Sequence, residues 1–350
     1  MGLFDDVLRA NQTLIKNEEA LDYDFLPKKI PFREHEQEYL ATSIKPLFNN
    51  RSGRNLLIFG APGIGKSAAT RSVLKELEEQ TEEIVIIYIN CWQHNSSFKI
   101  FVEICEQIGY KFTQNKKSQD IQKIIVKLLN DKSVVLTFDE IDKAEDVDFL
   151  YFLLENIYHK SIFLLTNYKS WLLNLDERIR SRLVPELVEF KQYNLIETRG
   201  ILKERVDYAF FPDVWEKEPF ELVVQKTFEI KDIRAGIFLL KESALLAEEK
   251  SHKKVSVEHV KLAIEKLDNF SIKSSTDLTE EELFILNLIK DNSGQKIGDL
   301  FKKYETMEGK LSYKSFQRKI AKLDEGKYIK ITRKTGIGGN TTIVEKNNLN

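Results

Sequence analysis

A glycine-rich loop, Gly60-Ala61-Pro62-Gly63-Ile64-Gly65-Lys66-Ser67, constrains the fold of this chain more than any other stretch. The apolar run Leu56–Phe59 precedes the loop and predicts a buried strand, and residues 68–79 predict a helix after it. Strand, glycine-rich loop and helix in this order are typical of a phosphate-binding loop, whose backbone amides face anionic oxygens. The sequence therefore predicts an α/β fold with a parallel sheet and a nucleotide site at its edge.

Each part of the loop has its own task in holding a nucleotide. Gly63 and Gly65 permit the positive φ angles that bring the backbone close to phosphates, and the loop amides, including that of Ile64, bind them. The Lys66 ammonium is predicted to reach the β- and γ-phosphates, and the Ser67 hydroxyl to bind Mg²⁺. We therefore expect ATP or ADP with Mg²⁺ as the ligand.

Polar residues follow two further strand candidates. Asp139 ends the apolar segment 134–139 and Glu140 follows it, at the position where open α/β sheets gather their ligands. Asp139 is predicted to hold Mg²⁺ and Glu140 to activate the attacking water. Asn167 follows segment 162–166, and its amide could orient that water. The alternatives are an acidic helix start for the two acids and a turn-forming role for Asn167.

A short helical stretch at 176–182 contains three arginines, at positions 178, 180 and 182. A solvated basic face is one interpretation of this stretch. The other is an arginine finger, which reaches the nucleotide of an adjacent subunit. Arg182 is the first candidate for that finger and Arg178 the second.

The alternation of strands and helices ends near residue 190. Beyond Asn194 only helical periodicity continues, and the polar segment 271–277 suits a linker. We therefore expect a nucleotide-binding α/β domain over residues 1–190, a helical domain over 191–272 and a third domain over 278–350. The strands of the α/β domain are expected at 56–59, 84–90, 134–139, 162–166 and 188–190.

The third domain has the pattern of a winged helix. Helices are predicted at 280–290, 297–307 and 313–325, and strands at 328–332 and 341–345 with a turn that contains Gly336, Gly338 and Gly339. Three helices closed by a glycine-tipped hairpin are typical of this variant of the helix-turn-helix.

Basic residues are concentrated in this last domain, although the whole chain has a formal net charge of −2. The segment 310–334 contains only Asp324 and Glu325 as acids. Such a local excess predicts contact with the phosphates of double-stranded DNA, and a protein-interaction module is the alternative. The predicted DNA contacts are Lys314, Arg318, Lys319 and Lys322 on the recognition helix, and Lys330, Arg333 and Lys334 in the hairpin.

Cysteine content and hydropathy bear on the compartment. The chain has two cysteines, Cys91 and Cys105, which support neither a disulfide framework nor a zinc site. The first residues lack the pattern of a secretory leader, and no apolar stretch approaches the length of a membrane span. We expect a cytoplasmic protein without a membrane partner.

Taken in order, the phosphate loop, the acid pair, Asn167, the arginine-rich helix and the helical segments after it resemble an AAA+ ATPase with its lid. Four further stretches resemble the archaeal initiator family related to the origin recognition complex and the cell-division-cycle helicase loader. They are FLPKKIPFRE at 25–34, YINC at 88–91, FKQYN at 190–194 and KDIRAG at 231–236. With the winged helix, the resemblance covers nearly the whole chain.

The resemblance implies further nucleotide contacts from the lid. Tyr193 matches a tyrosine whose ring contacts the nucleotide, and Arg205 matches an arginine of the first lid helix with the same role. Arg234 matches the second lid sensor, which pairs with the γ-phosphate. A core tyrosine and solvated or salt-bridged helix arginines are the alternatives. The segment near Arg33 borders the adenine pocket in this family.

The family also has an extra helix that touches DNA between the second strand and the Asp-Glu strand. Residues 98–129 have room for it, but the lysines in this segment could equally form a solvated face.

The resemblance implies an ATP-dependent replication initiator that binds origin DNA, hydrolyses ATP slowly and uses its nucleotide state as a switch. A replicative helicase and a second initiator subunit are the protein partners that this function suggests. A DNA-binding regulator of transcription, defence or transposition, with the ATPase core as a conformational clamp, is the alternative.

Overall fold

The computed structural model describes residues 13–27, 30–273, 279–307, 309, 311–325, 328–336 and 339–346. The chain divides into two compact units, one up to Glu265 and the other from Lys266. The N-terminal helical segment expected before residue 13, and residues 274–277 of the expected linker, lie outside the described residues. Among the described residues, no helix is both long and apolar enough to cross a bilayer.

A five-stranded parallel sheet forms the centre of the first unit, as the strand pattern predicts. The strands follow the order β2-β3-β4-β1-β5, which places the strand before the phosphate loop between β4 and β5. The last strand begins at Glu186, two residues before its predicted start. The strands are β1 (Leu56–Phe59), β2 (Ile84–Asn90), β3 (Ser133–Asp139), β4 (Lys160–Thr166) and β5 (Glu186–Glu189).

Helices cover both faces of this sheet because successive strand side chains point to opposite faces and both sets are apolar. Leu56 and Ile58 pack in one buried cluster with α1 and α2. Leu57 packs in a second cluster on the other face with α3, α4, α5 and α6. The helices are α1 (Glu34–Ile44), α2 (Lys66–Gln80), α3 (Ser97–Gln107), α4 (Ser118–Leu129), α5 (Asp148–Asn156) and α6 (Glu177–Leu183).

A lid of helices completes the first unit. Asn194 and Glu197 form a capping box, in which each side chain accepts the other's backbone N–H, and this box starts the first lid helix. The N-terminal segment lies against the lid, where the Lys16 N–H donates to the Ala209 carbonyl oxygen at 2.7 Å. The lid helices are α7 (Leu195–Ala209), α8 (Lys217–Ile230), α9 (Ile233–Glu249) and α10 (Val257–Lys273), whose residues from 266 onward belong to the second unit.

In the described residues of the second unit, three helices follow the end of α10, together with a three-stranded sheet of order β6-β8-β7. Its core contains Ile285, Leu300, Phe316 and Ile320. β7 and β8 form a hairpin that pairs as far as Gly336 and Gly339, so both strands are longer than predicted. β6 has only two residues and was not predicted, because so short a strand has no periodicity. The elements are α11 (Glu280–Asp291), β6 (Gln295–Lys296), α12 (Ile297–Thr306), α13 (Tyr313–Glu325), β7 (Ile329–Gly336) and β8 (Gly339–Lys346).

Candidate nucleotide site and DNA-binding face

A cavity of about 300 Å³ lies between the carboxyl end of the sheet and the lid. The phosphate loop forms one wall, and apolar lid residues, including Ile201 and Ile237, form another. The predicted site residues in its lining are Gly63, Ile64, Gly65, Lys66, Ser67, Asp139, Glu140, Tyr193, Arg205 and Arg234.

The phosphate loop has the backbone geometry that its glycines predict. The φ angles of Gly63 and Gly65 are +71° and +89°. A Cβ on Gly65 would lie 2.7 Å from the Tyr193 hydroxyl oxygen, so a side chain at this position would collide with the lid entrance. α2 begins at Lys66, within the loop, and its unpaired first-turn amides are the donors that anionic phosphates need.

The Lys66 ammonium lies among three oxygen acceptors. It donates to the carbonyl oxygens of Gly60 and Ala61, both at 2.8 Å, and to the amide oxygen of Asn167 at 2.9 Å. Burial lowers the pKa of Lys66 to about 8, and the carboxylate of Asp139 acts in the opposite direction. The structure thus joins the phosphate loop to the polar residue that follows β4.

Asp139 is buried at the end of β3. Its carboxylate accepts hydrogen bonds from the Tyr88 hydroxyl at 2.5 Å and from the Glu140 N–H at 2.9 Å. Burial and the Asp139 charge raise the pKa of Tyr88, which keeps this phenol a donor. Ser67 lines the same cavity, and hydroxyl and carboxylate oxygens are ligands that Mg²⁺ prefers, so these residues fit a magnesium site.

Glu140 has a backbone φ of +54°, a conformation that is rare outside glycine and that costs on the order of 1–3 kcal/mol. Burial raises the pKa of Glu140, and the neighbouring carboxylates of Asp139 and Asp142 add to this effect. A raised pKa makes a carboxylate a better proton acceptor near neutral pH, which suits a general base.

The two arginine-finger candidates lie on α6, outside the lining of the cavity. The Arg178 side chain is 77% exposed and pairs with Asp176 at the start of its helix. Arg182 is 42% exposed, pairs with Glu155 and lies over the Tyr151 ring at 5.3 Å. Both guanidinium groups are thus accessible from outside, as a finger that acts on another subunit requires.

Arg33 belongs to the site, but the sequence interpretation did not predict its contacts. Its buried guanidinium donates to the carbonyl oxygens of Ile64 at 3.1 Å and Lys191 at 2.5 Å, and to the Tyr193 hydroxyl at 3.1 Å. It also stacks over the Tyr193 ring at 4.0 Å. Arg33 therefore fastens the phosphate loop to the lid entrance. The available signal was its position in the FLPKKIPFRE stretch, of which residues 28–29 lie outside the described residues.

Arg205 lines the cavity, and its guanidinium is bonded to the N-terminal segment. It donates to the carbonyl oxygens of Ala20 at 2.9 Å and Phe25 at 3.1 Å. Its guanidinium also lies over the Phe25 ring at 4.8 Å. Burial lowers the pKa of Arg205. In this structure Arg205 connects the first lid helix to the N-terminal segment at the wall of the cavity. Direct contact of Arg205 with a nucleotide stays a prediction.

Arg234 stands at the start of α9, on the lid side of the cavity. Its guanidinium pairs with the Asp232 carboxylate at 2.8 Å. The Ile233 N–H donates to the Gly63 carbonyl oxygen at 3.2 Å, so the start of this lid helix contacts the phosphate loop directly.

Four of the predicted DNA contacts lie on α13, the predicted recognition helix of the second unit. Lys314, Arg318 and Lys322 are exposed, and Lys319 is partly exposed. Lys319 and Lys322 donate to the same carboxylate oxygen of buried Glu282 on α11, at 2.8 and 2.9 Å. The side chains of Lys330, Arg333 and Lys334, and residues 337–338 of the turn, lie outside the described part of the chain.

Two helices, α3 and α4, separate β2 from β3, so the room expected for an extra helix is filled. The lysines predicted there are exposed or partly exposed, which fits both a DNA contact and a solvated face. They are Lys99, Lys111, Lys116, Lys117, Lys123 and Lys127.

Comparisons with known proteins agree with this fold. The AAA domain family matches residues 50–166, and the Cdc6 AAA+ ATPase-type lid domain family matches residues 199–265. The ORC1-type DNA replication protein 2 of Methanothermobacter thermautotrophicus is 29% identical, over 97% of this chain and 93% of the relative. The chain is thus similar to ORC1/Cdc6-type AAA+ ATPases along nearly its whole length. The cavity of this chain is therefore a nucleotide site.

Solved structures share the fold of this chain. The Aeropyrum pernix ORC1 protein in complex with DNA has a TM-score of 0.73 and 22% identity, over 96% of this chain and 94% of that one. Cdc6p from Pyrobaculum aerophilum has a TM-score of 0.67 and 18% identity, over 96% of both chains. These similarities confirm the predicted AAA+ sheet with a helical lid, and the C-terminal unit fits the winged helix expected from the sequence.

Proposed function

We propose that this chain is an ATP-dependent DNA replication initiator that binds double-stranded origin DNA, with its nucleotide state as a switch. The similarity to ORC1-type DNA replication proteins along nearly the whole chain carries this proposal. A regulator of transcription, defence or transposition would share the ATPase core. The full-length relatives favour the initiator, because their match includes the C-terminal unit as well as that core.

ATP is held by residues from both sides of the cavity. The loop amides and the Lys66 ammonium bind the phosphates, and Arg234 binds the γ-phosphate from the lid. The Tyr193 ring and Arg205 contact the nucleoside end, beside the apolar wall. Ser67 and Asp139 would hold Mg²⁺, which neutralises phosphate charge when it is bound.

Hydrolysis is slow and resets the switch. Glu140 accepts the proton of the attacking water, and the Asn167 amide orients that water next to the γ-phosphate. The raised pKa of Glu140 supports its role as the base. Arg182 or Arg178 completes the site of a second initiator subunit, since both are accessible at the surface of α6.

The C-terminal unit holds DNA through phosphate contacts from Lys314 and Arg318 on α13, with Lys330, Arg333 and Lys334 on the hairpin. Lys319 and Lys322, on the same helix, also contact the DNA. A DNA-bound initiator of this kind assists the loading of a replicative helicase.

Two variants test the nucleotide switch. Glu140→Ala is expected to abolish ATP turnover and to retain bound ATP, whereas Lys66→Ala is expected to lose nucleotide binding. Nucleotide bound to the purified protein is measured by chromatography after denaturation, and turnover by phosphate release. Glu145→Ala, which changes an exposed acid nearby, serves as the control. Turnover that persists in Glu140→Ala would show that another group is the base.

Chromatin immunoprecipitation tests the DNA target. In cells that encode this chain, its binding peaks are expected at replication start sites, as mapped by the marker frequency of growing cells. Peaks at promoters or transposon ends, away from any replication start site, would favour the regulator.

A further inference from the structure

Asp232 and Arg234 form a bidentate ion pair at the start of α9. Asp232 Oδ1 accepts the Arg234 backbone N–H at 2.9 Å and Nε at 3.1 Å, and Oδ2 accepts Nη2 at 2.8 Å. One carboxylate thus caps the helix and occupies the guanidinium fork. A guanidinium fork binds carboxylate and phosphate by the same bidentate geometry.

The same carboxylate lies against the phosphate loop. A Cβ on Gly63 would be 2.0 Å from Asp232 Oδ1, so only a glycine leaves room for the carboxylate here. The adjacent Ile233 N–H donates to the Gly63 carbonyl oxygen. Asp232 is therefore in contact with both the phosphate loop and Arg234.

We propose that Asp232 competes with the γ-phosphate of ATP for Arg234 and thereby limits how strongly the site prefers ATP over ADP. This inference rests on the proposed function, in which Arg234 binds the γ-phosphate. ADP has no γ-phosphate, so Arg234 keeps its pairing with Asp232 when ADP binds. ATP has to replace that pairing, and the replacement reduces the affinity gained from the third phosphate.

The size of the effect follows from the exposure of the pair. The Arg234 side chain is 53% exposed and that of Asp232 is 25% exposed, so solvent screens much of their attraction. A bidentate pair in this setting corresponds to a change in affinity of about two- to tenfold. Removal of the Asp232 charge is therefore expected to tighten ATP binding by about two- to tenfold.

The experiment uses Asp232→Asn, because asparagine is an equally good helix cap and keeps an acceptor for the Arg234 N–H. Calorimetry of the full chain with Mg²⁺ gives the Kd for ADP and for a non-hydrolysable ATP analogue. The ATP-analogue Kd is expected to fall about two- to tenfold while the ADP Kd changes by less than about twofold. Asp232→Ser, a second uncharged cap, should give the same result.

The chain offers a matched control. Asp176 caps α6, and its carboxylate accepts the Arg178 backbone N–H at 2.8 Å and Nε at 3.2 Å, the same arrangement as in the Asp232 pair. The described lining of the nucleotide cavity does not include Asp176. Asp176→Asn should therefore leave both dissociation constants unchanged.

Three results would overturn the competition. They are an unchanged ATP-to-ADP preference in Asp232→Asn, an equal gain for both nucleotides, and weaker ATP binding. Arg234→Ala separates this inference from the proposed function. If Arg234→Ala weakens the ATP analogue but Asp232→Asn does not change the preference, only the competition is wrong. If Arg234→Ala has no effect on the ATP analogue, the proposed γ-phosphate role of Arg234 is wrong.

Discussion

The Lys66 ammonium donates to the amide oxygen of Asn167 over 2.9 Å. The sheet brings them together, because β1 and β4 are parallel neighbours that pair Phe59 with Thr166 at their carboxyl ends. An ammonium can only donate, so the amide of Asn167 has to turn its oxygen toward Lys66 and its NH₂ group away. The NH₂ group is then available as a donor to a phosphate or a water.

Asn167→Ala removes that donor and one of the acceptors around Lys66. We expect turnover to fall by about 10²-fold, the usual effect of removing one preorganised donor, with a change of only a few-fold in ATP affinity. Single-turnover hydrolysis and equilibrium binding measure the two effects separately. Asn174→Ala, at an exposed position in the following loop, is the control and should hydrolyse ATP normally. Normal turnover in Asn167→Ala would remove the residue from the hydrolytic site.

Arg33→Met tests the clamp between the phosphate loop and the lid entrance. The variant keeps a long side chain but leaves the carbonyl oxygens of Ile64 and Lys191 without their charged donor. Since a hydrogen bond to a charged group contributes about 1.5–3 kcal/mol, we expect the free energy of unfolding to fall by about 3 kcal/mol. Nucleotide affinity should fall as well, because Ile64 belongs to the phosphate loop. Chemical denaturation and calorimetry measure the two effects.

The control for this clamp is Arg54→Met. The Arg54 side chain is 52% exposed and pairs with Glu186, so its loss should change the free energy of unfolding by less than about 0.5 kcal/mol. Equal effects of the two variants would mean that the Arg33 contacts do not stabilise the site.

Much of the nucleotide site could be predicted because its residues are placed by local patterns. Lys66, Asp139 and Asn167 each follow an apolar strand, and parallel strands bring their carboxyl ends to one edge. The contacts of Arg33 could not be predicted in this way. Its partners Ile64 and Tyr193 lie 31 and 160 residues away, and a single arginine in a loop has no periodicity that indicates them.

The DNA-binding face shows the same limit. The excess of Lys and Arg near the C-terminus predicts a basic helix, and α13 is that helix. Lys314 and Lys322 are both exposed, and charge alone does not indicate that Lys322 pairs with a carboxylate 40 residues earlier in the chain. The difference depends on how α11 and α13 pack, and helix packing is not encoded in the charge pattern of either helix.

Two double variants test that difference. Lys314→Ala with Arg318→Ala is expected to weaken DNA binding across sequences and to reduce the slope of log affinity against log salt by about 1 per residue, without a loss of stability. Lys319→Ala with Lys322→Ala removes both lysine partners of the Glu282 carboxylate and should also lower the stability of the C-terminal unit. Fluorescence anisotropy over a salt series and thermal unfolding measure these effects. An unchanged salt slope in the first variant would direct attention to the hairpin or the AAA+ core.

The buried carboxylate of Glu282 gives the C-terminal unit a defined response to acid. The hydrogen bond from Lys319 has the largest effect on the pKa of this carboxylate, and that from Lys322 the next largest. Together they lower the pKa from 4.5 to about 2. A lowered pKa means that the unfolded chain takes up the proton first, so the stability it contributes is present above pH 4.5 and is lost as the pH falls toward 2.

Glu282→Gln keeps the side-chain shape and the capping acceptor but removes the charge. We expect it to lower the stability of this unit by about 2 kcal/mol at neutral pH, with a difference from the unmodified chain that shrinks below about pH 4. Hydrogen exchange of α11 and α13 peptides in the full chain measures this difference at each pH. Glu305→Gln, at an exposed position, should show no such pH dependence. A constant difference for Glu282→Gln from pH 7 to pH 3 would mean that its charge does not stabilise the unit.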